Sequence, residues 1–352
     1  MTLVNDPDLK NDASVHALHF FFRPSNRKLL LALKKDFSSR GVVFQIAPKN
    51  VDVLFIYVYL LALLYENTSI IRLSSKLSPL SEKFVKHMFT VLSQPRFSKV
   101  MNKSFFVTYE RSPDVTSALS SVCHLRMVWG HDDTIAEIQK ILISPRSLDV
   151  SFPDRFSYAI LSASEVIKNQ NPNEVARLLA LDMFQFRQKA CSSVRMVIWL
   201  GSIEDVAIAR TKVWNAMKSL DIKNVYNDTA ADVQDRIEMC FRSAPNLVEK
   251  ANLESFPLCL KVKELRPELK SLPLGFGAVF EFEMRSLIQL QDWISTKDQT
   301  VSLFGIPSEK IPRIKLKDET FPKRFVALGK SNDFDIVWDG KNLATLLTSK
   351  KT

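Results

Sequence analysis

The chain has 352 residues, of which 46% are hydrophobic and 24% charged. This balance excludes a disordered or fibrous protein and allows two packed domains. Its formal net charge of +10 would suit nucleic acid, an anionic membrane surface or small phosphorylated ligands, but no nucleic-acid-binding motif accompanies it, so we expect no nucleic-acid partner.

Short β-branched runs alternate with helix-length segments along the first half of the chain. Strands are predicted at 41–46, 69–73, 105–109, 125–129 and 157–161, and the alternation indicates βαβ units around a mostly parallel sheet. The most apolar run, 51–65, contains Asp52 and is shorter than the roughly 20 residues that a membrane-spanning helix needs. It therefore predicts a buried helix and no stable membrane insertion.

A second group of strands and helices follows. Strands are predicted at 195–200, 278–283 and 301–304, with helices at 202–220 and 230–241, which indicates a second α/β lobe. Asn171 is a candidate cap for a helix that leads toward Cys191. The chain contains neither GxGxxG nor a Walker-type phosphate loop, so a standard nucleotide-binding fingerprint is not expected.

Several short motifs occur in order along the chain. They are GVVFQIAPKN at 41–50, IIRLSS at 70–75, VWGHDDT at 128–134, FPDRFS at 152–157, FQFRQKACSS at 184–193, KDQTVSLFG at 297–305 and VWDG at 337–340. In this order they resemble the acyl-CoA reductases of bacterial bioluminescence (the LuxC type), a branch of the aldehyde dehydrogenase superfamily. The resemblance runs from about His16 to the carboxyl end.

The resemblance implies an α/β fold of the aldehyde-dehydrogenase type with two α/β lobes. A cofactor-binding domain with a parallel sheet would cover 1–160 and be rejoined by about 310–352. A catalytic domain that carries the nucleophilic cysteine would cover 161–309.

The resemblance also implies catalytic roles for Cys191 and Asn50. Cys191 would be the nucleophile, because a thiolate can exchange with a thioester and form an acyl-enzyme of similar energy. Asn50 would donate its side-chain amide to an oxyanion hole, together with the backbone N–H of the nucleophile. The alternative for Asn50 is a cap on the apolar helix that follows. For Cys123, Cys240 and Cys259 we favour inert small hydrophobes.

Cofactor binding is implied at the ends of the early strands. Arg72 matches the basic residue that contacts the adenosine ribose in the superfamily, and Ser74 and Ser75 stand where an acidic residue marks NAD users. An arginine with hydroxyls can bind a 2′-phosphate, so NADPH is the implied cofactor; a solvated arginine is the alternative. Trp129 and Gly130 precede a predicted helix whose first N–H groups could face the pyrophosphate.

The chain departs from the family pattern at several glycine positions. His131, Glu66 and Pro153 stand where relatives tend to have glycine, and close approach of the backbone to phosphate usually needs a residue without a side chain. Asp132 or Asp133 could equally be an ordinary helix cap.

Phe152 falls in the motif where oxidising aldehyde dehydrogenases place a glutamate general base. Without that base an acyl-enzyme resists hydrolysis, which suits delivery of the acyl group to hydride. The five histidines lack a spacing suited to zinc, so no metal is expected. The four cysteines form no CxxC pair and the first residues lack a secretory pattern, which predicts a reducing, cytoplasmic setting.

The leading hypothesis is reduction of a fatty acyl-CoA or acyl-protein thioester to the fatty aldehyde with NADPH, as in bacterial bioluminescence. By resemblance, the partners would include an acyl-protein synthetase and an acyl-transferase, and the protein would form a homo-oligomer. Two alternatives stay open: a noncatalytic scaffold subunit with the same fold, and a reductase of acyl phosphates.

Overall fold

The computed structural model describes residues 3–32, 37–48, 50–220, 222, 230–243, 247–251, 256–272, 275 and 277–350. The chain divides into two compact units. The first comprises Met1–Asp154 and Phe334–Thr352, and the second comprises Arg155–Asp333.

Helices and strands alternate along most of the chain. The helices are α1 (Ala13–Phe21), α2 (Pro24–Ala32), α3 (Leu54–Leu64), α4 (Pro79–Leu92), α5 (Ser98–Met101), α6 (Pro113–Val122), α7 (Asp132–Gln139), α8 (Ala163–Lys168), α9 (Pro172–Phe184), α10 (Ile203–Lys218), α11 (Ala230–Ser243) and α12 (Leu343–Leu347). The strands are β1 (Phe37–Ser39), β2 (Val42–Ile46), β3 (Thr68–Leu73), β4 (Ser104–Thr108), β5 (Leu125–Trp129), β6 (Leu148–Phe152), β7 (Phe156–Ser162), β8 (Val194–Leu200), β9 (Val248–Ala251), β10 (Leu258–Val262), β11 (Ala278–Met284), β12 (Asp298–Phe304), β13 (Ile314–Leu316), β14 (Glu319–Phe321), β15 (Arg324–Ala327), β16 (Val337–Trp338), β17 (Lys341–Asn342) and β18 (Thr348–Lys350).

The first unit is organised around a five-stranded sheet in the order β4-β3-β2-β5-β6. All neighbours in this sheet are parallel, and Ile46 on β2 pairs with Arg72 on β3 and with Val128 on β5. Because the strands are parallel, the loops that follow β2, β3 and β5 lie at one edge of the sheet, the edge where ligands bind in open α/β sheets.

Helix α3 supplies much of the core of the first unit. It is apolar on all sides and nearly all of it is buried, as expected for a helix covered on every face. The buried hydroxyl groups of its tyrosines form hydrogen bonds: that of Tyr59 lies 2.7 Å from Ser104 Oγ, and that of Tyr57 donates to the carbonyl of Asp335. The prediction of a buried helix is confirmed. Among the described helices, none combines the length and apolarity needed to cross a bilayer.

A buried asparagine links three segments of the first unit. Asn67 Oδ1 accepts from the Gly41 N–H at 3.0 Å, and its Nδ2 donates to the carbonyls of Ala62 at 3.2 Å and Leu347 at 3.0 Å. The residue before it, Glu66, has φ 62°, the left-handed region that glycine adopts without strain. The backbone conformation is thus one that suits the glycine expected at this position from the resemblance.

The second unit is built on a seven-stranded sheet in the order β15-β12-β7-β8-β11-β10-β9. Its neighbours are parallel except for β9, which runs antiparallel to β10. Phe156 pairs with Asp298 and Ser157 with Val194, so the amino-terminal ends of β7, β8 and β12 meet at one edge. Helices α8, α9 and α10 pack on one face through an apolar cluster that includes Val175, Val206 and Val213.

The strands and helices expected from the sequence are present, with ends shifted by up to three residues, and the expectation of mostly parallel α/β sheets is confirmed. Two placements differ from those expected. The strand predicted at 157–161 pairs with β8 and β12 in the second sheet rather than with the strands before it. The chain returns to the first unit at Phe334 rather than near 310, because β15 still pairs with β12.

Candidate active site

A left-handed turn precedes Cys191. Helix α9 begins at a cap in which Asn171 Oδ1 accepts from the Glu174 N–H at 3.2 Å, as predicted, and it ends at Phe184. Phe186, Arg187 and Gln188 then have φ of 55°, 54° and 57°. Such values cost non-glycine residues roughly 1 to 3 kcal/mol each, and the surroundings must hold them.

The side chain of Gln188 holds this turn to the sheet. It is buried, and its Nε2 donates to the carbonyls of Ala278 at 2.8 Å and Val194 at 3.3 Å, while its Oε1 accepts from the Gly277 N–H at 3.0 Å. Arg187 forms an ion pair with Asp232 on α11 at 2.7 Å. The turn is therefore fixed by β8, by the start of β11 and by α11.

Cys191 is half-buried and lies just before β8, at the amino-terminal edge of the second sheet. Its carbonyl accepts from Ser157 Oγ at 2.8 Å, and that hydroxyl accepts from the Thr300 N–H at 3.2 Å. Ser192 and Ser193, which follow, are buried. A partly exposed thiol thus stands on a loop whose neighbouring residues are fixed.

The other described thiols suit packing rather than chemistry. Cys123 is buried, and burial raises its pKa. Burial also raises the pKa of Cys259 well above its ordinary value, and the nearby Glu281 carboxylate adds to the effect. Both remain protonated near neutral pH, which disfavours nucleophilic attack and agrees with the inert role expected for them. The side chain of Cys240 lies outside the described residues.

Asn50 lies in the loop that follows β2 and is exposed. The helix after it begins only at Leu54, with Val53 in the cap position and no side-chain capping bond. Asn50 is therefore not the N-cap residue of this helix. Lys49, in the same motif, lies outside the described residues.

Arg72, one residue before the end of β3, packs against an aromatic ring. Its guanidinium lies 4.9 Å from the centre of the Tyr109 ring, and Nη2 donates to the Tyr109 carbonyl at 3.3 Å. Ser74 Oγ accepts from the Lys76 N–H at 3.3 Å, and Ser75 and Lys76 are exposed. The segment 72–76 therefore presents two cations and two hydroxyls. Sequence reasoning missed Lys76, although it stands one residue beyond the quoted motif.

Trp129 and Gly130 lie at the end of β5, at the same edge of the first sheet. Trp129 is buried and stacks on Phe152 of the neighbouring β6, with ring centres 4.4 Å apart and planes at 7°. The Gly130 N–H donates to the Phe152 carbonyl at 3.3 Å. Phe152, which the resemblance aligns with the glutamate base of oxidising enzymes, is thus part of this aromatic stack.

Three buried donors lie within the last two residues of β2, β3 and β5, near this edge. Arg72 Nε, Trp129 Nε1 and Gln45 Nε2 are buried and have no hydrogen-bond partner in the described part of the chain, and buried donors without partners are uncommon. Helix α7 fits less well, because Asp132 and Asp133 occupy its first turn and would repel a phosphate. The residues therefore fit a cofactor phosphate at 72–76 better than at α7. Within the described residues, no cluster of histidine, cysteine and acidic side chains could hold a metal ion.

The sequence and the fold both have known relatives. The sequence model of the family described as acyl-CoA reductase (LuxC) matches residues 24–235. A comparison with curated proteins found no significant match. Among solved structures, the fold is similar to an NAD-dependent benzaldehyde dehydrogenase from Corynebacterium glutamicum, with TM-score 0.61, 11% identity and coverage of 96% of this chain and 81% of that one.

Two further structures extend the likeness. Aldehyde dehydrogenase 21 from Physcomitrella patens, in complex with the reaction product succinate, has TM-score 0.65 and 8% identity, with 96% and 77% of the two chains covered. A mutant of proline utilization A from Bradyrhizobium japonicum has TM-score 0.60 and 13% identity over 90% of this chain, which spans 33% of the larger protein. At such identities the likeness concerns the fold, and the fold expected from the sequence is confirmed.

The family match covers more than half of the chain, and the fold is that of the aldehyde dehydrogenases. Enzymes of this kind are oxidoreductases that act on aldehydes or acyl groups. The protein belongs to the acyl-CoA reductase (LuxC) family, and its fold is similar to that of aldehyde dehydrogenases.

Proposed function

We propose that the protein reduces a fatty acyl thioester to the fatty aldehyde, with NADPH as reductant and Cys191 as the carrier of the acyl group. The observation that carries this proposal is the setting of Cys191, a half-buried thiol on a loop held from both sides. Membership of the acyl-CoA reductase family gives the class of reaction.

The thiolate of Cys191 attacks the carbonyl carbon of the bound thioester. A bond forms between Sγ and that carbon, the original carbon–sulfur bond breaks, and the departing thiolate takes a proton from solvent. One thioester replaces another, so the exchange is close to balanced in energy. When bound, NADPH supplies the hydride that the acyl carbon accepts. Cys191 then leaves as the thiolate and the aldehyde departs.

Asn50 and the backbone N–H of Cys191 are the proposed donors to the reacting carbonyl oxygen. Such donors stabilise the charge that develops in the transition state, by roughly 3 to 4 kcal/mol each. Asn50 is exposed in the loop that follows β2, where its side-chain amide is within reach of a ligand at this edge of the first sheet.

Arg72, Ser74 and Ser75 are the proposed contacts for the adenosine ribose and its 2′-phosphate, with Trp129 and Gly130 beside the cofactor. The segment 72–76 contains no carboxylate, and a carboxylate would repel the 2′-phosphate. Lys76 adds a second cation. NADPH is therefore favoured, although the benzaldehyde dehydrogenase with a similar fold is NAD-dependent.

The first unit would hold the cofactor and the second would carry the catalytic cysteine. Phe152 supports reduction over hydrolysis, because an aromatic stack replaces the general base that would activate a deacylating water. By family likeness, the acyl donor is acyl-CoA or an acyl-protein, the partners are an acyl-protein synthetase and an acyl-transferase, and the protein works as a cytoplasmic homo-oligomer in a pathway such as bioluminescence.

Covalent labelling tests the proposal directly. Incubation with radiolabelled tetradecanoyl-CoA should give label that survives denaturation and is released by hydroxylamine. Cys191→Ala should abolish the label, whereas Cys123→Ala, the matched control at a buried thiol, should retain it. Equal labelling of the Cys191→Ala variant would overturn the proposal.

Cofactor choice has its own test. Initial rates with NADPH and NADH should favour NADPH, and Arg72→Leu should raise the KM for NADPH by about 10- to 100-fold, because a charge-assisted hydrogen bond contributes roughly 1.5 to 3 kcal/mol. The KM for NADH should change little. An equal change for both cofactors would remove Arg72 from the 2′-phosphate site.

One observation favours the scaffold alternative. Asp132 and Asp133 at the start of α7 are poor substitutes for a glycine-rich phosphate site. A scaffold subunit would neither retain label nor oxidise NADPH with any acyl-CoA, so the same labelling experiment separates the two functions.

A further inference from the structure

One buried side chain connects the loop of Cys191 to the end of α9. Asn332 is 2% exposed. Its Oδ1 accepts from Ser192 Oγ at 2.8 Å and lies 3.4 Å from Ser193 Oγ, and its Nδ2 donates to the carbonyls of Leu181 at 3.1 Å and Asp182 at 3.0 Å. The amide thereby uses both lone pairs of its oxygen and both hydrogens of its nitrogen.

The segment that carries Asn332 is itself fixed by Asp182. This buried carboxylate accepts from the N–H groups of Gly329 at 2.8 Å and Ser331 at 2.7 Å, and from the hydroxyl of Ser302 on β12. Gly329 has φ +86°, and a Cβ there would lie 2.5 Å from Leu178 Cδ2. Only glycine fits this approach of the segment to α9.

These contacts hold the backbone on the carboxyl side of Cys191. Ser192 is the next residue, so its bond to Asn332 limits the backbone angles that direct the thiol. The carbonyl of Cys191 is held separately by Ser157. The peptide that joins Cys191 to Ser192 is therefore fixed at both ends, whereas Cys191 itself remains partly exposed.

We infer that Asn332 is a positioning residue for the nucleophile: by holding Ser192 against the end of α9, it sets the direction of the Cys191 thiol toward the acyl group. The inference rests on the proposed function. A nucleophile displaced by about 1 Å can lose up to about 100-fold in rate, so a side chain that fixes the adjoining peptide acts on turnover rather than on substrate binding.

The experiment uses the full chain with three variants and one control. Asn332→Ala removes all the hydrogen bonds of the Asn332 side chain. Ser192→Ala removes one hydroxyl with little risk to folding, and Ser192→Thr keeps the hydroxyl. Ser219→Ala is the matched control, an exposed serine of the same unit whose hydroxyl donates to the carbonyl of Ala216 in its own helix. Circular dichroism and thermal unfolding check that each variant folds.

The first readout is alkylation of Cys191 by iodoacetamide, followed across pH by mass spectrometry of the peptide that contains it. Asn332→Ala and Ser192→Ala should change the rate or the midpoint of this pH profile by about 3-fold or half a pH unit or more, on the order of 0.7 kcal/mol. Ser192→Thr and Ser219→Ala should match the parent protein. Folded Asn332→Ala and Ser192→Ala variants with the parent profile would overturn the inference.

The second readout is steady-state reduction of tetradecanoyl-CoA. Asn332→Ala should lower kcat by about 10-fold or more with KM little changed, and a rise in KM at constant kcat would contradict a positioning role. If the parent protein reduces no acyl-CoA, the proposed function fails, but the alkylation profiles still decide whether Asn332 controls the thiol.

Discussion

The buried ion pair of Lys270 and Asp298 gives the sharpest test of what holds the second unit together. Lys270 Nζ lies 2.8 Å from Asp298 Oδ2, and their side chains are 2% and 0% exposed. The same carboxylate oxygen accepts from the Ser295 N–H at 2.7 Å. Its other oxygen has no hydrogen-bond partner in the described part of the chain, so the lysine is the main compensation for the buried charge.

Burial shifts the pKa values of the two partners in opposite directions. It lowers the pKa of Lys270, which the negative charge of Asp298 raises in part. It raises the pKa of Asp298, which the ammonium of Lys270 lowers in part. Each charge is therefore stable in the interior only because the other is present, and removal of one partner should cost about 3 to 5 kcal/mol of unfolding free energy.

Three variants measure this coupling. Asp298→Asn and Lys270→Met should each destabilise by that amount, whereas the double variant should cost less than the sum and be more stable than either single variant, because no charge remains buried alone. Urea unfolding followed by tryptophan fluorescence and circular dichroism gives the free energies. Glu174→Gln, which breaks the exposed pair with Arg177, is the control and should cost less than about 1 kcal/mol.

The pH dependence of Asp298→Asn follows from the same contacts. Without the carboxylate, the pKa of Lys270 should fall further below its ordinary value of 10.5. Between that lowered pKa and pH 10.5 the unfolded chain binds more protons than the folded one, so stability should rise with pH, by up to about 1.4 kcal/mol per pH unit. The reasoning would be refuted if the losses of unfolding free energy in the two single variants added up to the loss in the double variant, and if the stability of Asp298→Asn did not change with pH.

Three further outcomes are expected. Asn67→Ala should destabilise the first unit by about 2 to 4 kcal/mol in urea unfolding, because the buried side-chain amide loses its hydrogen bonds to Gly41, Ala62 and Leu347, while the exposed Asn102→Ala changes little. Burial raises the pKa of Tyr65 to about 12, so its share of stability is present below pH 10 and lost as pH rises toward 12; Tyr65→Phe should flatten that alkaline loss, roughly 3 kcal/mol. Iodoacetamide at pH 7.5 should modify Cys191 well before Cys123 in mass spectrometry, and the reverse order would contradict the burial of Cys123.

Local sequence was enough to predict the elements but not how they assemble. The run at 125–129 and the apolar run at 51–65 fold as a buried strand and a buried helix, because composition and length decide such cases. The sheet to which β7 belongs depends on pairing with β12, where the Thr300 N–H meets Ser157, 143 residues away. Strand β9 has a mostly exposed edge sequence, so it carries no alternation that a pattern could reveal.

The residues of the candidate site show the same difference between what the sequence predicts and what only the assembled fold reveals. Motif order identified Cys191, Asn50 and Arg72 as candidates, because chemistry restricts which residue types can serve. Gln188 and Asn332 were missed, since a polar residue in a short irregular segment has the pattern of an ordinary turn. Their importance lies in contacts with the start of β11 and the end of α9, which no local pattern encodes.

The turn before Cys191 bears on whether the site is catalytic. Consecutive left-handed backbone at 186–188 costs roughly 1 to 3 kcal/mol per residue, and the hydrogen bonds of Gln188 return roughly 1 kcal/mol each. A chain that needed only its fold could relieve this strain with glycine or a longer connection between α9 and β8. Retention of the strain immediately before the half-buried thiol, together with three buried bonds that keep the turn in place, favours a loop shaped to present Cys191 over one that merely joins a helix to a strand.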